Sequence, residues 1–376
     1  MSALFSPLPL GPFTLPNRVA IAPMCQYSAD DGCASDWHLQ QIMNYAMSGA
    51  SMVTLEASGV ERRGRISHGC LGLYSDANEA ALGRVLAAAR KVAIPGTRFG
   101  IQLAHAGRKA STRLPWQGGG PLKAGEDPWQ TVAPSAIPFG PEYPAPEALG
   151  VDALSHLRLA FVRAAQRCVR LGFDYVELHS THGYLLDEFL SPHANQRTDQ
   201  YGGSFENRMR FPLEVARAVR AALPASVVLG ARITGTDWTE TGWSPEDASV
   251  YATALRDIGC AFVSVSTGGI ISGVTIPQGL GYQVPPAATV HAKVPGLVVM
   301  AAGHIVDATQ AEEIVASGKA DMVALARAYL DNPRWVWHAA DRLGGTIQYP
   351  PQYARAAAAV WKVAPSARPL DFKTKT

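Results

Sequence analysis

The chain has 376 residues, 47% of them hydrophobic and 17% charged. Its 33 Lys and Arg stand against 31 Asp and Glu, a net charge of +2 scattered along the sequence, so neither a nucleic-acid backbone nor an anionic membrane surface is an expected partner. The longest stretch free of Asp, Glu, Lys and Arg, Ile258 to Ala292, is interrupted by Gly268, Gly269, Gly273, Pro277, Pro285 and Pro286, which excludes it as a bilayer helix.

Along the chain, short apolar runs alternate with segments of helical period, the pattern of parallel strands joined by helical crossovers. Eight strand candidates follow one another: Arg18 to Met24, Met52 to Ala57, Arg98 to Ala104, Tyr175 to His179, Val227 to Ile233, Phe262 to Ser266, Leu297 to Ala302 and Met322 to Leu325. Between them the helical period is clear. From Leu154 to Leu171, for example, Leu157, Phe161, Ala164, Ala165 and Cys168 share one face while Arg163, Arg167 and Arg170 take the other. The turn after the first strand, Pro23-Met24-Cys25-Gln26-Tyr27, lacks Gly-x-Gly-x-x-Gly, so an open Rossmann sheet is disfavoured. Eight units predict one (β/α)8 TIM barrel, a fold of about 250 residues plus insertions, here with long loops after strands three and four. Residues 1–364 are expected to form this domain and 365–376 a poorly ordered tail. The N-terminus shows no basic segment leading into an apolar run. The five cysteines show no paired or metal-type spacing, so a reducing, cytoplasmic setting is expected.

Barrel chemistry gathers where strands reach their C-terminal ends. Those positions hold Cys25 and Tyr27, Glu56 and Ala57, Gln102 and His105, then His179, His182 and Tyr184, then Arg232, Ser264, Ser266, Gly303 and Arg327. The densest cluster, His179-Ser-Thr-His182-Gly-Tyr184, admits three readings: a metal site lacking its other ligands, histidines satisfied by loop carbonyls, or two N–H donors holding one oxygen with Tyr184 as proton donor. Arg232 shares a strand face with Gly230, and Gln102 with Gly100 and Ala104. This predicts room for a flat heterocycle above small neighbours, the alternative for Arg232 being a salt bridge inside the barrel. Gly268, Gly269, Gly303, Ala326 and Arg327 lie after strands six to eight, where barrels often hold phosphate with backbone N–H groups.

Five stretches together resemble the Old Yellow Enzyme family of flavin-dependent ene-reductases, and within it the thermophilic-like (class III) subgroup that includes xenobiotic reductases. They are Leu15-Pro-Asn-Arg-Val19 with Ala22-Pro-Met-Cys-Gln-Tyr27, Gln102-Leu-Ala-His-Ala-Gly-Arg108, His179-Ser-Thr-His-Gly-Tyr-Leu185, Arg197-Thr-Asp-Gln-Tyr-Gly-Gly-Ser204 with Asn207-Arg208, and Ala324-Leu-Ala-Arg327. The resemblance implies FMN at the barrel mouth, with Pro23, Met24, Cys25, Ala57, Gln102 and Arg232 around the ring and Gly303, Ala326 and Arg327 at the phosphate. It implies that Arg232 stabilises the reduced flavin, that His179 and His182 bind the oxygen of an activated alkene, and that Tyr184 or solvent supplies the proton. NADPH or NADH would donate hydride in the same pocket. Cys25, a Thr in the classical branch, would modulate the flavin, and Tyr27 would bond substrate. Gln352-Tyr-Ala-Arg355 resembles a segment that inserts an arginine into a neighbouring subunit of a dimer or tetramer, although Ala356 to Ala359 follow where relatives carry an aromatic. Ala326 likewise replaces the usual Gly.

Rival functions on a barrel make different demands. A Schiff-base aldolase needs an inward lysine, and the only one near a strand end is Lys109. A metal-dependent hydrolase needs carboxylates and histidines at several strand ends. A dienoyl-CoA reductase would continue into a cysteine-clustered segment, and a flavin storage protein has no need of the His179, His182 and Tyr184 cluster.

Overall fold

The computed structural model describes residues 2–364; the expectation of a disordered 365–376 tail lies outside the described residues. Eight parallel strands close into a barrel in sequential order: β1 (Val19–Ile21), β2 (Met52–Gly59), β3 (Arg98–Ala104), β4 (Tyr175–Ser180), β5 (Val228–Thr234), β6 (Cys260–Ser266), β7 (Val298–Ala301) and β8 (Met322–Leu325). Eight crossover helices surround it: α1 (Asp36–Ala46), α2 (Asp76–Val92), α3 (Val151–Leu171), α4 (Phe205–Ala222), α5 (Pro245–Ile258), α6 (Val284–Lys293), α7 (Ala308–Ala316) and α8 (Trp335–Leu343). Among the described residues no helix is long and apolar enough to cross a membrane.

Helix α3 shows how local sequence sets these elements. Its apolar stripe, Leu157, Phe161, Ala164, Ala165 and Cys168, is buried, and Gly172 ends it at φ +79°, a left-handed position open to glycine at little steric cost. Strands β3 and β8 match their predicted bounds, whereas β1 covers only the middle of Arg18 to Met24. Strand β2 runs on to Gly59 through a β-bulge between Leu55 and Ala57. The bulge matters to the mouth, because strict alternation from Thr54 would turn Ala57 outward; with Glu56 as the extra residue, Ala57 pairs with Gln102.

The barrel interior is packed. Ala20, Met52, Tyr175, Val228, Phe262, Met300 and Met322 form an inner cluster, closed at the N-terminal end by Leu8, Leu10 and Leu15. These three come from a hairpin, Leu8–Leu10 with Phe13–Leu15, that the sequence reading passed over. Its signal was present: alternating apolar positions on either side of Gly11-Pro12. The glycines read as room for a heterocycle serve a different purpose. A Cβ on Gly100 would lie 2.0 Å from the Tyr175 ring and one on Gly230 2.2 Å from the Phe262 ring, so both make room for the protein's own aromatics beneath the mouth.

Candidate active site

The polar ends of β2 to β6 lie side by side, because the parallel register pairs Ala57 with Gln102, Gln102 with Glu177, His179 with Arg232 and Arg232 with Ser264. Gln102 Nε2 donates to Glu177 Oε1 at 2.7 Å. Glu177 was missed in the sequence although it shares His179's face two residues earlier on β4. Burial raises its carboxyl to about 7, against the lowering effects of Arg232 and Gln102. Arg232 makes no ion pair among the described residues, so the closed salt bridge is not what forms; burial lowers its pKa while the field of Glu177 opposes that.

His179, His182 and Tyr184 do converge. The His179 ring stands edge-on to His182 at 5.4 Å and to Tyr184 at 5.0 Å. His182 Nε2 lies 2.6 Å from Ser266 Oγ, and His182 adopts φ +63°, a left-handed conformation uncommon outside glycine. Burial, then the positive charge of Arg232, pushes both imidazoles well below their usual range, while burial pushes the Tyr184 phenol well above its own. At neutral pH the cluster therefore consists of two uncharged imidazoles and a protonated phenol.

On the β1 side, Pro23, Met24, Cys25 and Tyr27 are all half-buried. Burial raises the Cys25 thiol well above its ordinary value, with Cys70 and Glu56 adding to the effect, so the sulfur is a thiol and not a thiolate. Tyr27, at φ +51°, packs edge-on against Trp116 of the long loop after β3, their rings 5.9 Å apart. Glu56 holds this turn in place: its Oε2 accepts the Gln26 N–H at 2.9 Å, and its Oε1 lies 3.0 Å from His38 Nε2 on α1. The sequence reading missed that pair, whose members come from different elements. His105 is turned away from the cluster. The Gly107 N–H donates to its Nδ1 at 3.0 Å, which leaves Nε2 to donate to Glu61, also at 3.0 Å.

A cavity of about 540 Å³ opens at the mouth, lined by Arg232, His182, Gly303, Ala326 and Arg327 among others. Tyr282, Gln283 and His304, not anticipated from sequence, also line it, and Arg327 contacts His304. Gly303 holds φ +91°, and a Cβ there would meet Gln283 at 2.7 Å. Arg355 is not brought to this cavity; it is exposed on the short turn Pro351–Ala356, which rests through Tyr353 on Trp337.

A (β/α)8 barrel with a mouth cavity lined by the uncharged His182 and the buried Arg232, and with His179 and Tyr184 packed beside it, has the layout of a barrel enzyme. The chain belongs to the NADH:flavin oxidoreductase / NADH oxidase family, whose model matches residues 3–344. It is similar to an NADPH dehydrogenase of Listeria innocua, 38% identical over 364 residues covering 96% of this chain and 100% of that one. It is also similar to an NADPH dehydrogenase of Geobacillus thermodenitrificans, 37% identical, with 94% and 98% covered. Among solved structures, morphinone reductase superposes with a TM-score of 0.74 at 30% identity, covering 93% of this chain and 92% of that one. The protein is thus an Old Yellow Enzyme-type, flavin-dependent NAD(P)H oxidoreductase with FMN as its cofactor.

The residues present fit that group. The buried Arg232 Nε, Ser264 Oγ and His179 Nδ1 have no hydrogen-bond partner among the described residues, so a donor and two further polar atoms at the mouth are left for a bound molecule. Ala302, Ala324 and Ala326 keep the cavity floor free of bulk, and exposed Arg327 stands where an anionic end would reach it.

Proposed function

We propose that this enzyme is an ene-reductase of the thermophilic-like (class III) subgroup, reducing activated C=C bonds of α,β-unsaturated carbonyl and nitro compounds with NADPH or NADH in a ping-pong cycle. The observation that carries the reading is the contact of two uncharged imidazoles and a protonated phenol, with His182 of that cluster lining the mouth cavity. Bound FMN supplies a two-electron carrier between the nicotinamide and the alkene. Arg232 offers it a fixed positive charge, with Pro23, Met24, Cys25, Ala57 and Gln102 around the ring and Gly303, Ala326 and Arg327 at the phosphate.

His179 and His182 hold the acceptor oxygen. Because they are uncharged, they donate hydrogen bonds without adding a second buried charge beside Arg232, and polarising the oxygen makes the β-carbon electrophilic. Tyr184 keeps its proton at neutral pH and delivers it to the α-carbon, while Tyr27 hydrogen-bonds substrate from the β1 side. The Cys25 thiol modulates the flavin. We assign residues 1–364 to one domain, the active form to a homo-oligomer in which Arg355 enters a neighbouring subunit's site, and the setting to the cytoplasm.

The test is anaerobic reduction with NADPH followed by 2-cyclohexenone. The expected result is bleaching of the flavin, its reoxidation by the enone and one equivalent of cyclohexanone. Bleaching without cyclohexanone would refute the ene-reductase assignment while leaving the oxidoreductase family intact.

A further inference from the structure

The loop carrying His182, Gly183 and Tyr184 is tied down by a half-buried cation. Lys109 ends the short turn Gly107–Lys109 after β3, and its Nζ donates to the carbonyl oxygens of His182 at 2.7 Å and Gly269 at 2.8 Å. These carbonyls belong to two loops pressed together: a Cβ on Gly183 would stand 2.1 Å from the Gly269 oxygen, and one on Gly269 2.8 Å from the His182 oxygen. All three residues are left-handed, at φ +63° for His182, +70° for Gly183 and +92° for Gly269. Two carbonyl dipoles aimed at one point repel, and an ammonium placed between them converts that repulsion into two charge-assisted hydrogen bonds.

The cation lines the mouth cavity and is flanked by aromatic faces, 4.4 Å from the Phe139 centroid and 5.1 Å from that of Tyr184. Asp187 and Glu188 favour its charge and Arg108 opposes it, while burial brings its pKa down to about 8, so the ammonium still predominates at pH 7. From the opposite side, Asp187 Oδ2 accepts the Gly183 N–H at 2.7 Å. The His182–Gly183 backbone is thus held at a carbonyl by Lys109 and at an N–H by Asp187.

We propose that Lys109 is a positioning residue for alkene reduction: by clasping the His182 and Gly269 carbonyls it fixes the left-handed peptide that presents the His182 imidazole to the acceptor oxygen. This rests on the ene-reductase reading. Lys109 acts through His182, its ammonium engaged by the two carbonyls.

The test uses FMN-loaded enzyme and cyclohexanone, a saturated ketone that can occupy the oxygen site without accepting hydride, with binding read from the flavin absorbance. Lys109→Met should weaken cyclohexanone binding and raise the 2-cyclohexenone KM by about tenfold or more, the usual consequence of losing a hydrogen bond to a charged group, with FMN content retained. Lys109→Gln, which still donates but lacks the charge, should fall between Met and the native enzyme. In the native enzyme, cyclohexanone affinity should drop as pH rises through about 8, and this limb should vanish in Lys109→Met. Because Asp187 and Glu188 also titrate near about 8, a limb that persists in Lys109→Met would belong to them and would overturn the proposal. So would an unchanged affinity and KM. If Lys109→Met fails to fold, the Gln variant and the native pH titration decide the question. A His179→Ala/His182→Ala variant with unaltered ketone binding would instead sink the ene-reductase reading, so the two failures are distinguishable.

Discussion

Gly230→Ala tests the claim that the floor of the site is built by pairing a glycine with an aromatic on the next strand. Gly230 on β5 stands in register with Phe262 on β6, and an added Cβ would lie 2.2 Å from two ring carbons and 2.5 Å from a third. Ordinary carbon contacts are about 3.5–4.0 Å, so the ring would have to withdraw by more than ~1 Å. It has little space to do so. Phe262 is wholly buried and meets Tyr175 edge-on at 5.8 Å, and Tyr175 is itself seated against Gly100. Overpacking a close-packed interior costs about 1–3 kcal/mol, and with two rings obliged to move together the upper end, about 3 kcal/mol, is expected. Urea unfolding followed by tryptophan fluorescence, at saturating FMN so that ligand linkage is constant, should show a lower midpoint with an unchanged slope. Phe262→Leu should cost less than the ~3–5 kcal/mol typical of Phe→Ala, and combined with Gly230→Ala it should recover about 1 kcal/mol or more relative to additivity. An unshifted midpoint for Gly230→Ala, or a strictly additive cycle, would refute the pairing argument.

Tyr184→Phe should leave NADPH-driven flavin bleaching unaffected and slow reoxidation by 2-cyclohexenone, which stopped-flow measurement of the two half-reactions separates; equal slowing of both would reduce Tyr184 to a general ligand-positioning role. Cys25 should react with iodoacetamide at pH 7.5 far more slowly than free cysteine because burial and Glu56 disfavour its thiolate, and Cys25→Ser should keep FMN while shifting the flavin midpoint potential; rapid stoichiometric alkylation would contradict this. For Glu61, burial raises the carboxyl but His105 and Arg63 outweigh it and bring it to about 2, so its stabilisation is present above about pH 4.5 and is lost as pH falls toward 2. Glu61→Gln should therefore cost on the order of 1–2 kcal/mol at pH 7, allowing for partial solvent screening, and flatten the acid limb of a Tm-against-pH curve; a limb of unchanged steepness would count against the pair.

The sequence by itself determined the eight-fold alternation, the barrel, and which polar residues stand at the strand ends, because strand period and strand ends are local properties of the chain. His179, His182 and Tyr184 were legible together for the same reason: they lie within six residues of one another at the end of β4. What tertiary structure alone decided is which groups face one another across elements. Alternation placed Gly230 and Gly100 on the inner face, but only the register showed Phe262 and Tyr175 opposite them, filling the space read as room for a ligand. The bulge at Glu56 reversed the face of Ala57 and left that carboxylate to meet His38 and the Gln26 N–H, contacts spanning 18 and 30 residues of sequence. Lys109 reads as a loop lysine until folding closes two loops around it, 73 and 160 residues away. Hydrophobic period is written residue by residue, whereas the pairing of a charge, a carbonyl or a ring with its counterpart depends on how the barrel closes. Closure sets those neighbours through strand register and loop path, which no local window of sequence contains.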